Sequence, residues 1–386
     1  MIYLDNAATS FKKPEKTYEY INDCMRHISA NPGRGSHRLS NKAAMLIYET
    51  RVLLAKLFNI LDPLSIVFTK NCTEALNVGI TTLLNPGDHV ITTMMEHNSV
   101  LRPLYNLTKQ GVEWTIIKSD KMGLIDVKDI ESNIQSNTKM IIMTQSSNLT
   151  GTIMPYDKVG EICSKNEIIF FLDAAQGAGV LDINVIEQHI DLLAFPGHKS
   201  LFGPMGIGGL YISPKIKDMK FYMNGGTGSE SSNLNQPDFL PDKYESGTLN
   251  LPGIAGLKAG VEFVLETGIQ HIKQYDEKLV KLMIEGICST WNITSFGPNE
   301  LAKRTSILAF NIGDLDSAFV AQLLDEEYNI AVRPGLHCAP LAHKNFGTTN
   351  QGLVRASVNY LTTIEEIEIL IESIQKIVKN TKFSIR

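Results

Sequence analysis

Two charged residues follow strongly apolar runs, where an unpaired charge is costly. Asp173 ends the run IIFFLD (168–173), and Lys199 follows the run DLLAF (191–195) inside the glycine-rich stretch 194–212. The glycines and prolines of that stretch predict a turn-rich loop rather than a helix. A buried carboxylate or ammonium group must be paired or neutralised, because desolvation disfavours the charged form of either.

Two interpretations of this acid and this lysine are open. They could form a buried ion pair that holds two strand ends together. They could instead belong to a pyridoxal phosphate (PLP) site, where the lysine binds the cofactor covalently and the acid pairs with the protonated pyridine nitrogen. The second interpretation also explains the glycines around Lys199, since they allow the cofactor and the loop to approach closely.

The stretch KNCTEALN (70–77) is a candidate phosphate site, because it follows an apolar run and opens a helix with Thr73 and Glu74 at its start. Backbone N–H groups at a helix N-terminus, helped by a hydroxyl group, bind phosphate. The same pattern is also that of an ordinary helix cap. His97, after the run HVITTMM (89–95), is either a surface histidine or a residue that stacks on a planar ring and moves protons.

A cysteine near the C-terminus has the surroundings of a nucleophile. Cys338 lies in the segment RPGLHCAPL (333–341), next to His337 and five residues after Arg333. A thiol in an exposed, electropositive loop is more reactive than a thiol packed in the core. Arg355, seventeen residues after Cys338, could clamp a substrate carboxylate. The remaining cysteines that we interpret as packing residues are Cys24, Cys163 and Cys288.

Apolar runs that alternate with helical stretches position these residues. The runs are LSIVFT (64–69), HVITTMM (89–95), VEWTII (112–117), TKMIIMT (138–144), EIIFFLDAA (167–175) and DLLAF (191–195), with helical stretches such as 73–84 and 156–165 between them. The alternation predicts an α/β fold with a mostly parallel sheet covered by helices. Ligands of such sheets bind beyond the carboxyl ends of the strands. From about residue 258, longer amphipathic helices (258–287, 363–380) and short strands predict a smaller α+β domain.

The composition gives no reason to expect a membrane or nucleic-acid partner. The chain has 386 residues, 43% of them apolar, and a formal net charge of −5. No apolar run reaches the roughly 18–20 residues of a membrane span, and the N-terminus lacks a signal-peptide pattern, so we expect a cytoplasmic location. The five cysteines form no CxxC pair, which argues against disulfides and against a structural zinc site.

The chain resembles the cysteine desulfurases, which are class V aminotransferase-like PLP enzymes, and within them the SUF-type (group II) branch. The motifs that carry the resemblance follow the family's order: YLDNAAT, NPGRGSH, FTKNCTEALN, MMEHNS, SSNLTGT, FLDAAQ, PGHKSLFGPMGIGGLY, YESGTLN, RPGLHCAPL and VRASVNYLT. The resemblance implies the fold type I architecture of PLP-dependent transferases. We expect an N-terminal segment (1–15) near the small domain, a large PLP-binding domain (16–257) and a small domain (258–386) carrying the Cys338 loop.

The resemblance also implies roles in the cofactor site. Lys199 would bind PLP covalently and move the Cα proton, and Asp173 would pair with the pyridine nitrogen. Gln176 would hydrogen-bond the phenolic oxygen of the ring, and His97 would stack on the ring. The residues implied for the phosphate are Cys72, Thr73 and His198, with Thr248 reaching the phosphate of the other subunit of a homodimer.

The implied reaction is desulfuration of L-cysteine. Asn148 and Arg355 would bind the substrate carboxylate, and the Cys338 thiolate would attack the substrate sulfur, leaving L-alanine and a persulfide. A sulfur-acceptor protein would take this sulfur for iron–sulfur cluster assembly or another transfer. Selenocysteine lyase, cysteine-conjugate β-lyase and aminotransferase activities remain open, although elimination and transamination need no nucleophilic thiol. A sulfur-relay scaffold without turnover is disfavoured by the intact Lys199 and Cys338.

Overall fold

The computed structural model describes residues 1–32 and 35–384, so Gly33 and Arg34 of the NPGRGSH motif lie outside the described residues. The strands are β1 (Ile2–Tyr3), β2 (Ile66–Thr69), β3 (His89–Thr93), β4 (Glu113–Ile117), β5 (Thr138–Thr144), β6 (Ile169–Asp173), β7 (Leu192–Pro196), β8 (Gly208–Ile212), β9 (Ile293–Phe296), β10 (Ile307–Ile312), β11 (Ile330–Ala331) and β12 (Val354–Ser357).

The α-helices follow the strands along most of the chain. They are α1 (Glu15–Asp23), α2 (Arg38–Phe58), α3 (Cys72–Leu83), α4 (Asn98–Thr108), α5 (Val127–Ser132), α6 (Tyr156–Lys165), α7 (Leu251–Thr267), α8 (Ile269–Ile287), α9 (Ser317–Tyr328), α10 (Pro340–Phe346) and α11 (Ile364–Ser384). A π-helical turn (Cys24–Ile28) follows α1. Within the described residues, no helix combines the length and the apolar character that crossing a membrane requires.

A seven-stranded sheet with the order β2-β8-β7-β6-β5-β3-β4 forms the centre of the molecule. All of its neighbouring pairs are parallel except those of β8, which runs antiparallel to β2 and β7. Helices cover the sheet, and every residue of β2, β3, β7 and β8 is buried. The predicted α/β fold with a mostly parallel sheet is confirmed.

The prediction of a continuous loop over residues 194–212 is wrong at both ends. Strand β7 extends to Pro196, and residues 208–212 form β8. Gly208 and Gly209, which the sequence pattern assigned to a turn, are packing residues of β8. A Cβ atom on Gly209 would lie 2.4 Å from the ring of Phe195, and one on Gly208 would lie 2.8 Å from the carbonyl oxygen of the same phenylalanine. Glycine is therefore required here for close strand packing rather than for a turn.

A second, three-stranded antiparallel sheet of order β12-β10-β9 lies near the C-terminus. Its buried core includes apolar residues of α8 and α11. The helix predicted over 258–287 is two helices, because Gly268 with φ +86° separates α7 from α8. The predicted boundary after residue 257 falls inside α7, which packs against α1 and α2. The division into domains stays a prediction.

The N-terminal segment connects the small sheet to the Lys199 loop. Strand β1 pairs in parallel with β11, and Asp5 forms a bridge with Ser357 at the end of β12. A few residues later, the backbone N–H of Ser10 donates to the carbonyl oxygen of His198 at 3.1 Å. Residues 2–10 therefore contact β11, the end of β12 and the loop that carries Lys199.

Candidate functional site

Asp173 is a buried carboxylate at the carboxyl end of β6. Its Oδ1 accepts a hydrogen bond from the backbone N–H of Ala175 at 2.9 Å and from the Cys72 thiol at 3.5 Å. Burial raises the pKa of Asp173, and the positive charge of Lys199 acts against that effect. The Cys72 side chain points at Asp173, so an anion bound next to Cys72 would contact the backbone N–H of Cys72. Cys72 is the first residue of α3, where the backbone N–H has no acceptor within the helix.

Lys199 lies in the loop between β7 and β8 and is partly buried. Burial lowers the pKa of Lys199 to about 8, although the charges of Cys72 and Asp173 oppose this change. A lysine with a lowered pKa supplies the neutral amine that attacks a carbonyl group. The structure therefore brings the predicted acid and lysine together. They are close enough for the charge of each to change the pKa of the other.

His198, next to the lysine, has a buried ring nitrogen that lacks a partner. Its Nδ1 makes no hydrogen bond with the described residues. Burial lowers the pKa of His198 to about 4, so the ring is neutral near pH 7 and one of its nitrogens donates. A buried polar atom without a partner is rare in a folded protein, and here it marks a place for a ligand.

Helices α3 and α4 begin side by side and are linked by hydroxyl groups. Thr73 Oγ1 and Ser99 Oγ are 2.8 Å apart, and Ser99 Oγ lies 2.9 Å from His97 Nδ1. The backbone N–H of Ser99 also donates to His97 Nδ1 at 3.0 Å, so His97 caps α4 and carries its proton on Nε2. Burial lowers the pKa of His97 to about 4, helped by the charge of Lys199. His97 is therefore a neutral, fixed imidazole with Nε2–H as its free donor.

Two further predicted cofactor residues occupy different surroundings. Gln176 is buried, and its Nε2 donates to the carbonyl oxygen of Ala7 at 3.0 Å, which leaves a second amide hydrogen for another acceptor. Thr248 is exposed, in the segment between Glu245 and α7. The role of Thr248 at the phosphate of the other subunit stays a prediction.

The loop of Cys338 is held against the start of α4. The carbonyl oxygen of Cys338 accepts from the backbone N–H of Asn98 at 2.8 Å, and that of His337 accepts from Asn148 Nδ2 at 2.7 Å. His337 and Cys338 have φ angles of 50° and 56°, in the left-handed region that non-glycine residues rarely adopt. Cys338 is exposed, whereas the other cysteines are buried or half-buried. The predicted exposure of Cys338 is confirmed, and its role as a nucleophile stays a prediction.

Arg355 is the most deeply buried charge near this loop, with its side chain 1% exposed. Its Nη1 donates to the carbonyl oxygen of Asn148 at 2.8 Å, and its Nη2 donates to Asp5 Oδ1 at 2.6 Å. Both Arg355 Nε and Asn148 Oδ1 are buried without a partner among the described residues. The predicted substrate residues are therefore in direct contact, and each keeps an unused polar atom.

Together, these residues suit a planar, aromatic molecule with an anionic tail. The buried Asp173 would meet a protonated ring nitrogen, His97 would lie against the ring face, and Lys199 would reach a carbonyl carbon. The N-terminus of α3 and the unpartnered His198 Nδ1 would hold the anion. PLP combines these features, so the residues present fit that cofactor.

Two residues of the site were not assigned by sequence reasoning. Ser99 fixes the tautomer of His97, and its signal is the HNS tripeptide (97–99), which has the pattern of a helix start. Asp5 pairs with Arg355 across 350 positions of sequence, and no local pattern reveals such a contact.

The fold and the neighbouring lysine and aspartate are those expected of a PLP-dependent enzyme of the aminotransferase type. The family model for class-V aminotransferases matches residues 2–370 of the chain. The chain therefore belongs to the class-V aminotransferase family, and the resemblance noted from its motifs is confirmed.

The relatives of the chain are named cysteine desulfurases. A probable cysteine desulfurase of Pyrococcus abyssi is 35% identical over 100% of this chain and 96% of the relative, and one of Methanothermobacter thermautotrophicus is 34% identical over 97% and 94%. Among solved structures, the apo cysteine desulfurase of Thermococcus onnurineus superposes with a TM-score of 0.93 at 35% identity, covering 98% of this chain and 95% of that one. A cysteine desulfurase from Escherichia coli gives a TM-score of 0.88 at 27% identity, covering 98% and 94%.

Proposed function

We propose that the protein is a PLP-dependent cysteine desulfurase that converts L-cysteine to L-alanine and receives the sulfur on Cys338. The observation that carries the proposal is the position of the Cys338 loop. The backbone carbonyl oxygen of this exposed cysteine accepts a hydrogen bond from the residue after His97, which would bring a nucleophilic sulfur close to the lysine–aspartate site. Elimination or transamination would need no such thiol.

Lys199 would bind PLP covalently, and Asp173 would hold a proton on the pyridine nitrogen. Gln176, through its free amide hydrogen, would donate to the phenolic oxygen, and His97 would stack on the ring. The phosphate would be held at Thr73, His198 and the backbone N–H of Cys72, with Thr248 contributed by the partner of a homodimer. The bound cofactor supplies the electron sink for charge at the substrate carbon.

The chain's own residues would carry the rest of the reaction. Arg355 and Asn148 would orient the substrate carboxylate, and the Lys199 amine would move the Cα proton. The Cys338 thiolate would attack the substrate sulfur, so that an S–S bond forms as the C–S bond breaks. The electron pair of the C–S bond stays with carbon, which takes up a proton to give alanine. This exchange leaves a persulfide on Cys338 and needs no external oxidant.

The persulfide requires a second protein to receive its sulfur. Because Cys338 is exposed, a sulfur-acceptor protein could reach it from solvent. We place the enzyme in a reducing compartment such as the cytoplasm, where its cysteines remain thiols. Iron–sulfur cluster assembly is one use of sulfur delivered in this form.

The test measures alanine released from L-cysteine in the presence of a thiol reductant. We expect alanine and sulfide in equal amounts from the wild type and neither product from Cys338→Ala. Borohydride should trap the cofactor on the peptide that contains Lys199. Pyruvate instead of alanine would indicate a β-lyase. Alanine from the Cys338→Ala variant would also contradict the proposal, and selenocysteine would then be the next substrate to assay.

A further inference from the structure

Two arginines face each other across an antiparallel contact at the substrate end of the site. The backbone N–H of Arg355 donates to the carbonyl oxygen of Arg333 at 2.8 Å, and the reciprocal bond measures 3.2 Å. Residues paired in this way project their side chains to the same face, where two like charges repel each other. Each arginine lowers the pKa of Lys199, so both positive charges lie near the reacting centre.

Asp5 is the acid that faces this pair. Its Oδ1 lies 2.6 Å from Arg355 Nη2, and its side chain is 21% exposed. The guanidinium of Arg333 makes no ion pair or side-chain hydrogen bond with the part of the chain that the structure describes. Arg333, Arg355 and Asp5 together carry a net charge of +1. A ligand with one carboxylate would neutralise that charge.

We propose that Asp5 determines the net charge of the substrate site. In this way Asp5 limits how strongly the site prefers a ligand that carries one carboxylate. Asp5 keeps the buried Arg355 paired when no substrate is bound, since a buried guanidinium without a counter-charge is destabilising. It also repels the arriving carboxylate and thereby limits how tightly an amino acid or its product binds. Asp5 is thus a specificity-determining residue, an inference that rests on the proposed function.

The surrounding contacts allow the charge of Asp5 to be removed without releasing the segment that carries it. Asn6 Nδ2 donates to the carbonyl oxygen of Ser357 at 3.0 Å, and the backbone N–H of Ala7 donates to Ser357 Oγ at 2.9 Å. In Asp5→Asn, the amide oxygen can still accept from Arg355 Nη2. The substitution therefore changes the charge and keeps the geometry.

The experiment measures the dissociation constant of L-alanine from the cofactor-bound enzyme, followed through the absorbance of the cofactor. We expect Asp5→Asn to bind L-alanine about five- to tenfold more tightly than the wild type, because one nearby negative charge is lost. L-alaninol, which has a hydroxymethyl group in place of the carboxylate, should bind both proteins equally. Glu366→Gln is the matched control, since it removes a half-buried carboxylate from the ion pair with Lys12 and should change neither constant.

A double variant tests the charge count directly. Arg333→Gln should weaken L-alanine binding, and Asp5→Asn combined with Arg333→Gln should return to near the wild-type constant, because the net charge is again +1. Equal or weaker binding by Asp5→Asn would overturn the inference and leave Asp5 as an anchor of the N-terminal segment. A wild type that binds no L-alanine would instead contradict the proposed function, and the inference would fall with it.

Discussion

Replacing Glu245 with glutamine should destabilise the protein far more than its conservative character suggests. Glu245 Oε2 lies 2.6 Å from Arg51 Nη2, and the two side chains are only 6% and 4% exposed. Glu245 Oε1 also accepts from the backbone N–H of Phe68 at 2.6 Å, at the edge strand β2. Glutamine preserves a carbonyl oxygen for that bond but leaves the buried Arg51 guanidinium without a counter-charge.

The expected cost is about 3–5 kcal/mol, the range measured when one partner of a buried ion pair is removed. Desolvation of these two buried groups offsets much of their mutual attraction. The pair as a whole therefore contributes little net stability. Removing both charges should cost much less than removing one.

The assay compares the melting temperatures of Glu245→Gln and of the double variant Arg51→Met with Glu245→Gln. For a chain of this length, the entropy of unfolding converts 3–5 kcal/mol into a shift of roughly 4–6 °C. The double variant should recover at least half of that loss, although Arg51 also donates to the carbonyl oxygen of Ile66 and packs over the Phe68 ring. A double variant that melts at or below the single variant would refute the reasoning.

Three other predictions follow from buried groups. Burial raises the pKa of Glu96 to about 8, so its stabilising effect is present at low pH and is lost as pH rises from about 4 through 8. Glu96→Gln should thus gain melting temperature relative to the wild type at pH 8 but not at pH 4.5, and a constant difference would contradict this. Gly160→Ala should lower stability by about 3 kcal/mol or more, because its Cβ would lie 2.0 Å from the carbonyl oxygen of Gln188, and an unchanged melting curve would be inconsistent with that contact. In ¹⁵N NMR spectra of the cofactor-free protein, His97 should remain neutral with the proton on Nε2 from pH 5 to pH 8, and a midpoint near 6.5 would exclude the buried environment.

Much of the fold could be predicted from the sequence because its strands are short, apolar and separated by helices. Strand β5 and helix α6 match the predicted ranges 138–144 and 156–165 residue for residue. Strand β8 was missed because two of its five residues are glycines, and they are explained by packing against the ring and the carbonyl oxygen of Phe195 on the neighbouring strand. Turn preference is a local signal, whereas this glycine requirement arises from contact between strands.

In the candidate site, too, local patterns could be predicted from the sequence and contacts between distant residues could not. Asp173, Lys199 and His97 follow apolar runs, so the rule that ligands bind beyond the carboxyl ends of the strands selected them. The bond between Asp5 and Arg355 and the bond between Asn148 and the His337 carbonyl group link positions far apart in sequence. Neither contact could be predicted from residue types or spacing, because both depend on how the small sheet sits on the large one.

The most direct test of the proposed function is mass spectrometry of the cysteine peptides after the enzyme has reacted with L-cysteine without a reductant. After alkylation, the peptide containing Cys338 should carry one additional sulfur atom, and alanine should appear in equal amount. The peptides containing Cys24, Cys72, Cys163 and Cys288 should remain unmodified, since only Cys338 among them is exposed. Alanine formation with no additional sulfur on Cys338, or with the sulfur on another cysteine, would contradict the assignment of Cys338 as the nucleophile.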